Sequence, residues 1–128
     1  DVTGMEDARA KVEESGADGA MLGRAIFGTP WLFSDADTTF QHSQECWNVV
    51  KRLRVAIEHA ELFEEMLGGV KNFAIMKKHF KAYVEGFDGA KDLRVRLMET
   101  ASAKEVRGIL EEFISSARKS VRYTESNV

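Results

Sequence analysis

A β-strand needs a neighbour to pair with, and this 128-residue sequence offers one strand-like segment. Ala17-Asp18-Gly19-Ala20-Met21-Leu22 is a short apolar run beside glycines, and its length and flanks favour a buried strand over a helix. Ahead of it, Thr3-Gly4-Met5-Glu6 has the form of a capping box, Met5, Ala8 and Val12 make one apolar stripe, and Gly16 supplies a stop. Behind it, Gly23-Arg24 leads into a short helix at Ala25-Ile26-Phe27, closed by Pro30-Trp31-Leu32-Phe33. Residues 1–33 therefore read as helix, strand, tight turn and short helix, one α-β-α slice of a larger α/β fold. The chain is too short to hold a complete (β/α)8 barrel, which needs about 200 residues or more.

Residues 34–43 are polar and read as a linker; everything after them has helical periodicity. From Glu45 to Leu67, the residues Trp47, Val50, Leu53, Ile57, Ala60, Phe63 and Leu67 recur every three or four positions. Gly68-Gly69 breaks that helix. A second is expected over residues 70–84 with Phe73, Met76, Phe80 and Val84 on one face, and a third over residues 90–99 with Leu93, Leu97 and Met98 inward. Ser102-Ala103-Lys104-Glu105 is another capping box, launching a helix with Val106, Ile109, Leu110, Phe113, Ile114 and Ala117. The polar tail at residues 123–128 is expected to fray. Short loops favour an antiparallel bundle. The expected fold class is mainly α: a C-terminal antiparallel helical bundle over residues 36–128, preceded by a residual α-β-α unit over residues 1–35.

Hydrophobic residues at 44% and charged residues at 30% describe a globular chain and exclude a disordered one. The formal net charge of −3 excludes a globally basic nucleic-acid binder. The charge is uneven, however: residues 1–40 hold three basic side chains against eight acidic, and residues 41–128 hold fifteen against thirteen. A polyanion site is therefore expected in the second part. One cysteine, Cys46, rules out an internal disulfide and points to a reducing cytoplasm. No apolar run approaches the roughly 18 residues of a membrane span, and no signal-peptide pattern opens the chain. The first residue is Asp1 rather than Met, as in a cut or processed piece.

Two clusters carry candidate chemistry. Gly23-Arg24 stands where a strand would hand over to a helix, so its amides and the Arg24 guanidinium suit a phosphate; the plain alternative is a tight turn with a surface arginine. Lys71, Lys77, Lys78 and Lys81, with His79, lie between Met66 and Val84 without an acid among them, and Arg94 and Arg96 follow. A basic face of this kind suits a phosphate backbone; the alternative is an ordinary solvated face. Cys46 has no base beside it except His42 on the linker and reads as inert. His42, His59 and His79 have no metal-ligand spacing, His59 reads as structural, and no metal site is expected.

The run from Gly16 to Ala25, with Gly28, Pro30, Trp31 and Phe33, resembles the end of the flavin barrel in tRNA-dihydrouridine synthases, the bacterial DusB-like branch above all. Met76-Lys77-Lys78-His79 with Tyr83, then Leu93-Arg94, resembles the landmarks of that family's C-terminal helical domain. The resemblance spans nearly the whole chain, in order. It implies a share in the reduction of uridine to dihydrouridine in tRNA, with FMN passing hydride from NADPH to the base and a cysteine protonating the other carbon. It implies that Gly23 and Arg24 hold the FMN phosphate, that Asp1 matches the last residue of an Asn-Gly-Asp run near the flavin, and that Lys77, Lys78, His79, Lys81 and Arg94 face tRNA. Lys77 stands where the family usually has Arg, without the planar fork, and Ala82 stands where an aromatic is common. The catalytic cysteine and most flavin contacts would lie upstream, and Cys46 falls after the barrel, so the piece alone is expected to be inactive. The alternatives are a stand-alone helical RNA-binding module, and a protein-interaction bundle in which residues 1–33 pack against a partner or a second copy, neither with catalytic activity.

Overall fold

The structure, a computed structural model, describes residues 1–33 and 45–126. Five α-helices follow one another: α1 (Met5–Ser15), α2 (Glu45–Leu67), α3 (Lys77–Tyr83), α4 (Ala90–Met98) and α5 (Ala103–Ser126). Single 3-10 turns stand at Arg24–Ile26 and Phe73–Met76. The fold is mainly α, with no strand among the described residues.

The core forms because each helix of the second part buries most of the stripe that its periodicity marks; Leu67 at the end of the first stripe is exposed instead, and the Trp47 side chain lies outside the described residues. α2 contributes Val50, Leu53, Ala56, Ile57, Ala60 and Phe63, and α5 contributes Ala103, Val106, Leu110 and Ile114. Met76, Phe80, Tyr83 and Val84 enter from the α3 side, and Ala90, Leu93 and Leu97 from α4. Phe73 bridges the rings of Phe63 and Phe80, each with centroids 6.2 Å away. Each large side chain of this set is worth about 1.5–3 kcal/mol of burial. α2 and α5 pair antiparallel. The Glu64 carboxylate of α2 accepts from the Ala103 amide at 2.9 Å, and Glu61 accepts from Arg107 at 2.5 Å. The start of α5 is capped as expected by Ser102, whose hydroxyl accepts from the Glu105 amide at 3.3 Å. Glu105 reaches back one residue further than a strict capping box, to the Ala101 amide at 2.7 Å.

Two expectations need correction here. The helix over residues 70–84 is divided: Asn72 caps a 3-10 turn by accepting from the Ala74 amide at 2.9 Å, and α3 starts only at Lys77. A side chain that bonds its own backbone competes with the regular helical ladder. The strand over residues 17–22 is not formed. Those residues take no part in a ladder, and Met21 is 85% exposed. The physical reason is the lack of a partner among the described residues: backbone groups of a strand are satisfied only by a neighbouring strand. Of the two helices of the slice the first forms, and the second is reduced to the single 3-10 turn at Arg24–Ile26. Gly16 ends α1 at φ 72°, and its amide donates to Val12 O at 2.9 Å. At the other end Thr3 pairs with Asp7 rather than Glu6: its amide donates to Asp7 Oδ2 at 2.9 Å. That bond, with Lys11, holds the Asp7 carboxyl below its ordinary range.

The N-terminal segment meets the helical part at one joint, since α1 itself packs on no other helix. Gly28, at φ 79°, lies so close to α3 that a Cβ there would stand 2.6 Å from the Ala82 carbonyl oxygen. The Phe27 ring stacks on His79 with centroids 5.1 Å apart, and Lys51 Nζ sits 5.5 Å over the Trp31 ring. The linker expected at residues 34–43 and the domain boundary at 35/36 lie outside the described residues. No helix among the described residues is long and apolar enough to cross a membrane.

Candidate functional site

The first cluster is built by the turn that follows residues 17–22. Gly23 precedes the Arg24–Ile26 turn, and nothing lies within 4 Å of the place where its Cβ would be. A ligand can therefore approach that backbone closely. Arg24 Nη2 donates to Asp1 Oδ2 at 2.6 Å, joining residues far apart in sequence. Their side chains are 82% and 58% exposed, so the pair adds about 0–1 kcal/mol to stability. It does, however, hold the guanidinium beside Gly23 with most of its donors directed to solvent. Lys11 Nζ donates to the Asp1 carbonyl oxygen at 2.5 Å and to Asp7 Oδ2 at 3.0 Å, so Arg24 and Lys11 stand in this corner each paired with an aspartate. The turn is a single 3-10 turn, so no long helix dipole acts there. Gly23, Arg24 and Lys11 suit a phosphate group; they do not by themselves hold a flavin ring.

The second cluster is a shallow groove between α3 and α4, lined by Lys78, Lys81, Ala82, Glu85 and Arg94. Lys78 and Lys81 are one turn apart on α3 and exposed. Arg94 comes from α4, and its Nη1 donates to Val84 O at 2.9 Å. Arg52 of α2 does the same one residue on, Nη1 to Glu85 O at 3.0 Å. Two guanidiniums thus sit on carbonyls at the C-terminal end of α3, where the backbone presents negative partial charge. Arg94 is therefore a structural hook as well as a groove wall. Three cations against one carboxylate give the groove a net positive lining.

His79 and Lys77 are placed differently. Lys77 is half-buried and does not line this groove. His79 lies in a ladder of rings: Phe27 on one side, His59 at 4.7 Å on the other, then Tyr83. The Tyr83 hydroxyl and His59 Nδ1 are 3.0 Å apart. Burial lowers the pKa of His79, with His59 and Lys78 adding to the effect, and burial alone lowers that of His59. Burial, then Glu58, pushes Tyr83 up to about 12. Both shifts favour the neutral imidazole at the joint between the two parts of the chain. Lys78 extends the joint, with Nζ 5.8 Å over the Phe27 ring.

Sequence reasoning missed Arg52 and Phe27. Arg52 belongs to Lys51-Arg52-Leu53-Arg54, a basic run inside an apolar helical pattern, which was the available signal. Its Nε is buried without a hydrogen-bond partner. Phe27 gave no signal beyond being apolar. His42 lies outside the described residues, as does the side chain of Cys46. Among the described residues no three His, Cys, Asp or Glu side chains gather as metal ligands would.

Comparison with known proteins adds to this geometry. The dihydrouridine synthase family model matches residues 1–120. A probable tRNA-dihydrouridine synthase of Staphylococcus aureus is 33% identical over 120 residues, which cover 94% of this chain and 34% of that protein. Probable tRNA-dihydrouridine synthase 1 of Synechocystis is 32% identical over 120 residues, covering 92% and 34%. A probable tRNA-dihydrouridine synthase of Rickettsia conorii is 30% identical over 129 residues, covering 98% and 38%. The chain thus spans about a third of the length of the curated relatives it matches. No solved structure matches it.

Proposed function

Since the chain belongs to the dihydrouridine synthase family, we propose that it provides the tRNA-docking surface and a cofactor-phosphate anchor for the reduction of uridine to dihydrouridine in tRNA. The observation that carries the reading is the α3–α4 groove, where Lys78, Lys81 and Arg94 converge around one carboxylate. Phosphates of the tRNA backbone replace the solvent over these cations, releasing counterions as they bind. Lys77 lies on the same helix and extends the basic face, and His79 supports it from the joint. Gly23 and Arg24 offer amide and guanidinium donors to the FMN phosphate, with Asp1 and Lys11 fixing the arginine. Bound FMN would supply the hydride that NADPH provides. What this chain's own residues do is bind and orient. The cysteine that protonates the base is not among them, so the chain alone does not turn over.

The joint gives this division of labour a geometry. Gly28 against Ala82, and Phe27 against His79, tie the Arg24 turn to the helix that carries Lys78 and Lys81. This contact supports a reading in which the two sites act on one bound tRNA–cofactor assembly.

A second reading has its own observation. Met21 is 85% and Phe33 57% exposed beside the unpaired 17–22 segment, and apolar surface of this kind is used to pair with something. In that reading residues 1–33 associate with a second copy, and sedimentation as a strict monomer up to about 100 μM overturns it.

Titration of an unmodified tRNA transcript at two salt concentrations tests the main reading. Binding that weakens with salt and falls in the K78Q/K81Q/R94Q variant supports it. Binding no tighter than the non-specific range of roughly 10⁻⁴ M, or binding indifferent to the three substitutions, overturns it.

A further inference from the structure

The α2–α5 seam holds another basic concavity. It is lined by Arg54 of α2 and by Glu111, Ile114, Ser115, Arg118 and Lys119 of α5. Positions 111, 115 and 118 follow helical spacing and stand in one row. The antiparallel register set by Glu61–Arg107 and Glu64–Ala103 brings Arg54 opposite that row. Ile114, 4% exposed, forms the floor. Glu111, the acid of the lining, is engaged by Arg107 at 2.6 Å. Arg54, Arg118 and Lys119 are exposed and have no ion-pair partner among the described residues. The other end of the same seam has the opposite character: Glu61, Glu64 and Glu65 line it with Lys104 and Arg107. The seam is therefore electrically polar along its length.

We infer that Arg54, Arg118 and Lys119 form a second contact for RNA phosphates, separate from the Lys78–Lys81–Arg94 groove. The inference rests on the tRNA-binding reading above and adds a surface to it. Arg52, which reaches α3 beside the first groove, and Arg54 are two residues apart on α2. They point about 200° apart around the helix axis, so the two basic surfaces lie on different sides of α2. A small anion would occupy one of them. A long folded polyanion, with a charge every few ångströms, engages both. The contact is electrostatic and indifferent to base sequence, because exposed cationic side chains position a backbone rather than read bases.

The test is fluorescence anisotropy of a labelled, unmodified tRNA transcript with the whole chain, across 50–200 mM salt. In R54Q/R118Q/K119Q the aliphatic stems remain and the charges go. The affinity is expected to fall about tenfold or more, and the slope of log K against log salt to become shallower by about 2. K104Q, at the acidic end of the seam, removes one charge as well and is expected to leave affinity and slope at the parent's values. Far-ultraviolet circular dichroism verifies that each variant keeps the helicity of the parent. An unchanged affinity and slope in the triple variant, or an equal loss per charge in K104Q, overturns the inference and leaves the first groove standing on its own variant, K78Q/K81Q/R94Q. No binding by the parent chain overturns both.

Discussion

Residues 1–33 and the helical part after residue 44 belong to one chain but are stabilised in different ways. The helical part closes on itself: Leu53, Ala56, Ala60, Met76, Phe80, Val84, Leu97, Val106 and Leu110 are fully buried. In the first segment the buried apolar residue is Ala8, while Met21 and Phe33 face solvent. The difference teaches where each part gets its order. Helices satisfy their backbone locally and need only one apolar face covered. The N-terminal segment keeps its helix but leaves residues 17–22 without a ladder, and is held through Phe27 and Gly28. The helical part buries a core of its own. The first segment is a graft on it.

The largest test of this contrast is cavity formation. Phe80→Ala is expected to cost about 3–5 kcal/mol in urea unfolding followed by circular dichroism, and Met21→Ala close to nothing. Equal losses would erase the distinction. Next comes the joint. Gly28→Val places a Cβ against the Ala82 carbonyl at a positive φ, which is expected to cost about 1–3 kcal/mol of docking. Limited proteolysis should then cut residues 1–33 sooner, while the cooperative melt of the helical part stays where it was. A melt shifted as far as that of Phe80→Ala would show that the segment is integral to the core.

The pH dependence sharpens the same point more gently. His59 and His79 both have folded-state pKa values below the ordinary 6.5. Protonation therefore favours the unfolded or undocked state: the stability they contribute is fully present above about pH 6.5 and is lost as pH falls through the lowered folded values. Thermal melts at pH 7.5 and 5.5 should differ in that direction, and H59Q/H79Q should flatten the difference. Greater stability on acidification would contradict the placement of the pair. The smallest effect is expected at the anchor: Arg24→Gln removes an exposed ion pair worth about 0–1 kcal/mol, so its melt should match the parent. Its retention of inorganic phosphate, followed by chemical-shift perturbation at Gly23, should weaken. A melt lowered by more than about 1 kcal/mol would make Arg24 a structural residue.

The helices were largely legible because their signals are local. Val50, Leu53, Ile57, Ala60 and Phe63 repeat at helical spacing, and α2 runs from Glu45 to Leu67 as that repeat predicts. Gly16 and Ser102 cap where their chemistry implies. Residues 70–84 were less legible, because Asn72 can serve as a cap or as a helical residue and only its placement chooses. The candidate site was legible in type and not in arrangement. A lysine-rich helix announces an anion surface, but nothing in Met76-Lys77-Lys78-His79 says that Lys78 would face the groove and His79 the joint. Arg52 and Phe27 were hidden because their partners, Glu85 O and His79, are distant in sequence.

By itself the sequence determined the helical class of the chain, the stripes that become its core, the family to which it belongs and the location of its positive charge. Each follows from spacing along the chain, which backbone geometry turns into a face. Only the tertiary structure decided that residues 17–22 stay unpaired, that Arg24 meets Asp1, that His79 turns from the groove to a ring ladder, and that Arg54 joins Arg118 and Lys119. Those outcomes depend on which surfaces approach one another, and a strand, an ion pair or a groove between helices exists only when both of its sides are present.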